Sequence, residues 1–272
     1  MVDGDPTGVR AGARQVLGKV PRDAARRLSL NRYQQFRTSI DAVNIHFLRV
    51  RSPAEGATPC IMTHAWPGSI MELIKVIDPL EGPVSHGGEA SDALELVNPP
   101  LRGYGWSGKP TVTGWNVEKI ALASIELMDR LGDDRRVAQG GDWGGLVSSA
   151  IGRLADPAKL IGIHFNRALT DPAKLMQLGE PTEDDQQYLA QHQHSSETEG
   201  GYAIARATKP QTFGYGLIDS PVAQLAWIVE KFKTWSDCGG DLLSPPVLAL
   251  ARVECGGLRR GGCAECILPL PG

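Results

Sequence analysis

Long apolar runs are missing from this sequence, and so is any block of like charge. The longest apolar candidate, LLSPPVLALA near the C-terminus, is short and broken by prolines, so no membrane span or anchor is expected. Lys and Arg number 28 against 31 Asp and Glu, and both signs are scattered. Neither a nucleic-acid footprint nor a polybasic membrane patch follows from that distribution. The opening MVDGDPTGVRAG is polar and acidic, unlike a secretory leader. Cysteine is scarce and uneven: Cys60 and Cys238 stand alone, while Cys255, Cys263 and Cys266 crowd toward the C-terminus. Cys263-Ala-Glu-Cys266 is a CxxC with no second pair and no nearby histidine, short of the four ligands of a structural zinc site. A soluble, cytoplasmic protein without metal or cofactor is the expectation.

What remains is ordinary globular material, 272 residues with 42% hydrophobic and 22% charged content. That length suits one large α/β domain or one domain with an insertion. Strand-like alternation covers 40–51, and TPCIMTH (58–64) reads as a short buried strand running into His64-Ala65-Trp66-Pro67-Gly68-Ser69. IMELIKVIDPL then reads as a helix that stops at Pro79. ALELVN (93–98) is a strand that ends in the Pro/Gly-rich loop PPLRGYGWSG. From Asn116 to Leu131, Val117, Ile120, Ala121, Leu127, Met128 and Leu131 share one helical face, with Asn116 and Gly132 as end signals. RRVAQ is a strand, 144–154 a helix, and KLIGIHFN (159–166) another strand. This alternation predicts a mostly parallel, doubly wound α/β sheet. Beyond about residue 168 the pattern becomes helical. Ser220 and Pro221 start a helix whose predicted apolar face is Val222, Leu225, Ala226, Val229 and Phe232.

Between a strand and a helix lies QGGDWGG. Gly140, Gly141, Asp142, Trp143 and Gly144 fit the small-x-nucleophile-x-small turn that holds a central side chain above a sheet. The plainer alternative is a glycine-rich turn in which Asp142 caps the helix. A carboxylate nucleophile forms an ester with an alkyl carbon, so it suits epoxide opening or carbon–halogen cleavage rather than peptide cleavage. In α/β-hydrolases the loop after the neighbouring strand supplies a second backbone N–H for the oxyanion. Trp66 and Trp143 are the expected donors.

HAWPGS, NPPLRGYGWSGKP, QGGDWGG, GIHFN and ATKPQT…LIDSPVAQLAWIVEKF together resemble the epoxide hydrolases of the microsomal and juvenile-hormone type, bacterial relatives included. LNRYQQFRTSIDAVNIHFLRVRS resembles the end of that family's N-terminal domain, and the resemblance runs from about residue 30 to 239. It implies the α/β-hydrolase fold with a helical cap. It also implies a small hydrophobic epoxide and water as reactants, Asp142 as the nucleophile that forms the ester, and Tyr202 as the cap tyrosine serving the epoxide oxygen. His64, Pro67 and Tyr215 are substrate-pocket candidates, with His64 also expected to shape its loop. The implied domains are 1–39 as a remnant of the N-terminal domain, 40–168 as the core, 169–238 as a partial cap and 239–272 as an unpatterned tail. Whether the protein forms a homo-oligomer is left open.

The pattern departs from the family in places. Ala65 stands where the family has glycine, which predicts a distorted oxyanion loop. Arg102 takes the place of a proline. After Asp237 the tail reads CGGDLLSPPVLALARVECGGLRRGGCAECILPLPG, which resembles translation in a shifted frame. It offers no match for the family's late acid and histidine, so impaired turnover is expected. Two other functions stay open: a haloalkane-type dehalogenase, which also uses an aspartate followed by tryptophan, and a non-catalytic remnant.

Overall fold

The computed structural model describes residues 30–66, 68–166, 177 and 179–235. Pro67, the tail, the cysteines beyond Cys60 and the first 29 positions lie outside the described residues. The elements are β1 (Gln34–Ile40), β2 (Val43–Val50), β3 (Thr58–Thr63), α1 (Ile74–Glu81), β4 (Leu94–Asn98), α2 (Val117–Arg130), β5 (Arg136–Gly140), α3 (Trp143–Leu154) and β6 (Leu160–Phe165). The helices α4 (Glu183–Glu199), α5 (Gly201–Thr208), α6 (Pro210–Asp219) and α7 (Pro221–Trp235) follow.

The strands form one six-stranded sheet in the order β1-β2-β4-β3-β5-β6. β4, β3, β5 and β6 are mutually parallel, and β1 and β2 join as an antiparallel hairpin at one side. Alternation along the strands feeds two cores. Ile45, Phe47, Ile61 and Val97 point to the face covered by α2 and α3, where they meet Leu127, Met128, Val147 and Ile151. Leu48, Cys60, Met62 and Leu96 point to the face covered by α1, with Ile70 and Ile77. Enclosing an aliphatic side chain of this size stabilises the fold by about 1.5–3 kcal/mol. Burial also lifts the Cys60 thiol to about 12, so it is an inert part of the core.

α2 has the signals that the sequence displays. Asn116 accepts from Lys119 N at 3.0 Å, and Gly132 ends the helix at φ +78°. α1 differs from expectation. It continues through Pro79 to Glu81, because the one hydrogen bond lost there would have reached Lys75, close to the helix start.

A second correction concerns the boundary at 39/40. Gln34–Ile40 is a strand of the core sheet, paired from Gln34↔Arg49 to Ile40↔Val43, so that boundary would cut a hairpin. The signal was weak because β1 is an edge strand of mostly exposed polar residues. Its two-residue turn is Asp41-Ala42 rather than a glycine pair.

The buried face of α7 is turned in part from the predicted one: Leu225 is enclosed and Val229 half-buried as expected, and the Phe232 side chain lies outside the described residues. Gln224, Leu225, Ile228 and Lys231 are enclosed, while Val222 and Ala226 are exposed. Lys231 can lie inside because its ammonium sits 4.5 Å from the Tyr202 ring centre and 5.4 Å from that of Trp227. Aromatic faces replace part of the water it gives up. Among the described residues, no helix is long and apolar enough to cross a membrane, and none of the His, Cys, Asp and Glu groups could hold a metal ion.

Candidate active site

β3 and β5 lie side by side, with Thr63 opposite Gly140. The loops that follow them therefore leave the same end of the sheet together. After β5 the chain turns into α3 within two residues. That turn is possible only without side chains at its corners. A Cβ on Gly140 would stand 2.1 Å from the Gly144 carbonyl oxygen, and one on Gly144 would stand 2.0 Å from that of Thr63.

Asp142 occupies the apex with φ 52° and ψ −116°. Such backbone strain in a residue with a side chain costs about 1–3 kcal/mol. Asp142 stands at the cap position of α3, yet its side chain makes no capping hydrogen bond. Its Oδ1 instead accepts from the Trp66 N–H at 3.1 Å, across the gap between the two loops. The helix-cap alternative therefore does not describe this side chain. The α3 N-terminus still favours negative charge at this point. Trp143 opens α3, so its N–H is among those with no acceptor inside the helix.

The loop after β3 is fixed from several sides. His64 is fully enclosed. Its Nε2 accepts from Leu101 N at 3.0 Å, which leaves Nδ1 to donate to the Ala65 carbonyl at 2.8 Å. Burial holds its pKa down at about 4, so it is a neutral strut between two loops. That placement departs from the pocket-lining expectation for His64, because both ring nitrogens are engaged and none of the ring is open. The residue in place of the family glycine, Ala65, is not among the described non-glycine residues with positive φ, which are Asp41, Ala42 and Asp142. The distortion expected there has no such backbone cause. Arg102, in place of a proline, is buried with its guanidinium 5.4 Å from the Trp115 ring centre. Burial lowers its pKa to about 10.

The helical segment 183–235 contributes the aromatic side of the site. The Tyr202 ring stacks on Trp66 with centroids 5.8 Å apart and planes 2° from parallel. Trp235 meets Tyr202 edge-on at 5.3 Å, and Trp227 meets Trp66 at 6.1 Å. The Arg206 guanidinium lies 3.6 Å from the Trp66 ring centre. The structure thus brings Asp142, Trp66, Trp143 and Tyr202 to one end of the sheet. Tyr215 is not part of this group; it lies exposed on α6.

Sequence reasoning missed Glu72. Ser69-Ile-Met-Glu72 has the spacing of a capping box, and Ser69 Oγ does accept from Met71 N at 3.2 Å. The Glu72 carboxylate, however, reaches back to the Ala65 N–H. It fills the space beside Gly68, where a Cβ would stand 2.0 Å from Glu72 Oε2. Burial first, and the charge of Asp142 second, raise its pKa to about 7, against the lowering effect of the Ala65 N–H.

Comparison with known proteins gives this arrangement a context. The family model for the epoxide hydrolase N terminus matches residues 24–73. A relative in Stigmatella aurantiaca (strain DW4/3-1) is 48% identical over 230 residues, which is 83% of this chain and 50% of that one. Epoxide hydrolase 1 of Oryctolagus cuniculus is 38% identical over 226 residues, covering 76% of this chain and 50% of its own. The crystal structure of juvenile hormone epoxide hydrolase from Bombyx mori superposes with a TM-score of 0.75 at 30% identity, covering 91% of this chain and 66% of that one. The epoxide hydrolase of Aspergillus niger shares the fold, with a TM-score of 0.73 at 24% identity, over 94% of this chain and 65% of its own. The shared architecture is the α/β-hydrolase fold. The chain spans about half the length of the relatives it matches by sequence.

Proposed function

We propose, for a chain that belongs to the epoxide hydrolase family, that Asp142 opens an epoxide through a covalent alkyl ester. One carboxylate oxygen of Asp142 attacks a ring carbon, and the bond from that carbon to the ring oxygen breaks. The ring oxygen takes the electron pair and a proton from the Tyr202 hydroxyl. The product of this step is a β-hydroxyalkyl ester of Asp142 and a tyrosinate, which regains its proton from water. In the second step water adds to the ester carbonyl carbon and gives a proton to a base. The Trp66 and Trp143 N–H groups then receive the charge on the carbonyl oxygen. As the acyl–oxygen bond cleaves, the base returns its proton to the leaving oxygen, which releases a vicinal diol, and the Asp142 carboxyl gives its proton to the hydroxide left when the tyrosinate was reprotonated.

The observation that carries this reading is the Asp142 side chain. It is held at positive φ and aimed at the Trp66 amide instead of its own helix. The aromatic wall of Trp66, Tyr202, Trp227 and Trp235 suits a small hydrophobic epoxide. Release of the ester needs a base for water, and the described histidines are placed otherwise. His46 is engaged with Gln35 and His64 with Ala65 and Leu101, while His86, His164, His192 and His194 are exposed. We therefore expect this chain to form the ester faster than it releases it.

Intact mass after exposure of the full chain to an aryl epoxide tests the proposal. The expected result is one added epoxide per chain, absent in Asp142→Asn. Modification only by a haloalkane, with halide released, would favour the dehalogenase reading. Rapid steady diol formation would contradict the expected slow release.

A further inference from the structure

We propose that Glu72 is a positioning residue of this site: seated within the 64–69 loop, its carboxyl holds the Ala65–Trp66 segment so that the Trp66 N–H addresses Asp142. The inference rests on the epoxide-opening reading and deepens it.

The geometry is a relay through two consecutive amides. The Ala65 N–H donates to Glu72 and the Trp66 N–H donates to Asp142. Each peptide group is a rigid plane, and only the φ and ψ of Ala65 lie between these two amides, so fixing the first limits the directions open to the second. Glu72 belongs to the short helical turn Ile70–Leu73 that leads into α1, whose Ile77 is fully enclosed. The clamp is thus anchored in the core rather than in the loop it holds. Gly68 leaves the room that the carboxyl occupies. An ordinary capping interaction would have returned Glu72 to Ser69; here the carboxyl passes that donor and serves the site.

The charge of Glu72 matters as well as its shape. Among the described residues, two titratable groups bear on it. His64 shares Ala65 with Glu72 and is held neutral, and Asp142 approaches from the β5–α3 turn. Glu72 titrates at about 7. Below that value it is protonated and accepts only weakly from Ala65. Above it the ionised carboxylate grips the amide and adds negative charge beside Asp142. Ester formation by Asp142 should therefore inflect near neutral pH because of Glu72.

The test uses the full chain, styrene oxide as probe, and single-turnover mass measurement of the adduct at a series of pH values. Glu72→Ala removes the acceptor and is expected to slow adduct formation about tenfold to a hundredfold, the scale of a nucleophile held slightly out of line. Glu72→Gln keeps an acceptor oxygen and cannot ionise. It should recover the rate to within about threefold while losing the inflection. Wild-type rates in Glu72→Ala, or an unchanged inflection in Glu72→Gln, would overturn the proposal. A second readout needs no epoxide: the Ala65 and Trp66 amide resonances should titrate near pH 7 in the wild type and not in Glu72→Gln. Amide titration that persists in Glu72→Gln overturns the clamp. If the amides titrate as expected but wild type forms no adduct, the epoxide reading fails and the clamp stands.

Discussion

The Asp41–Ala42 turn and the turn around Asp142 both hold side-chain-bearing residues at positive φ, 49° and 61° in the first and 52° at Asp142. The hairpin turn takes this shape because two positive-φ residues match the twist of β1 and β2. Glycine would serve there better than alanine, and Asp41 and Ala42 are exposed. The turn around Asp142 is different. Glycines surround the strained residue because backbone approaches within it exclude any Cβ, yet the apex itself carries a carboxylate. The strain at the hairpin is incidental to fold geometry. At Asp142 it presents one side chain to the Trp66 amide.

Substitutions should separate the two turns, the largest effect first. Asp142→Asn should leave the fold intact and abolish the epoxide adduct, as read by intact mass. Gly144→Ala forces a Cβ against the Thr63 carbonyl. It should cost about 3 kcal/mol or more in urea unfolding, because backbone atoms of β3 cannot step aside as a side chain could. At the hairpin the sign reverses. Ala42→Gly relieves the left-handed penalty at some cost in chain entropy and should raise stability by about 0.5–1 kcal/mol. Destabilisation by Ala42→Gly, or tolerance of Gly144→Ala, would erase the contrast.

A pH experiment sharpens the account of the loop beside Asp142. Burial raises Glu72 to about 7, so its contribution to stability is present at low pH and is lost as pH rises from about 4.5 to about 7. His46 and His64 are held down at about 4. Their contribution is present above about 6.5 and is lost as pH falls toward 4. Between about pH 6.5 and 4.5 the Glu72 gain offsets part of the histidine loss. Glu72→Gln removes that offset, so its stability should fall more steeply with acid than the wild type, by about 1.4 kcal/mol per pH unit. Parallel unfolding free energies for the two proteins across this range would show Glu72 to be ionised throughout.

The parts of the molecule that sequence displayed are those governed by local chemistry. Asn116 and Gly132 bracket α2 because capping and termination act within a few residues. The glycines around Asp142 marked the turn because their spacing reports close backbone approach. Relations set by tertiary contact were hidden. Gln34–Ile40 looks too polar for a strand until β2 supplies its partner. Lys231 looks like a surface residue until Tyr202 and Trp227 supply its surroundings. Glu72 carried a capping-box spacing that pointed to Ser69, and only the folded loop shows it turned to Ala65. Tyr202 and Trp66 are far apart in the chain, and neither alternation nor helical period relates them. Their stacking emerges only once α5 lies over the end of the sheet.

The most direct test of the central claim is proteolytic mapping of the chain after a brief exposure to styrene oxide. The account predicts the mass of one intact epoxide on the peptide that contains Asp142, carried by the Asp142 side chain and lost on mild alkaline treatment as an ester should be. An adduct located on another residue, or an Asp142 peptide that stays unmodified while the epoxide is consumed, would contradict it.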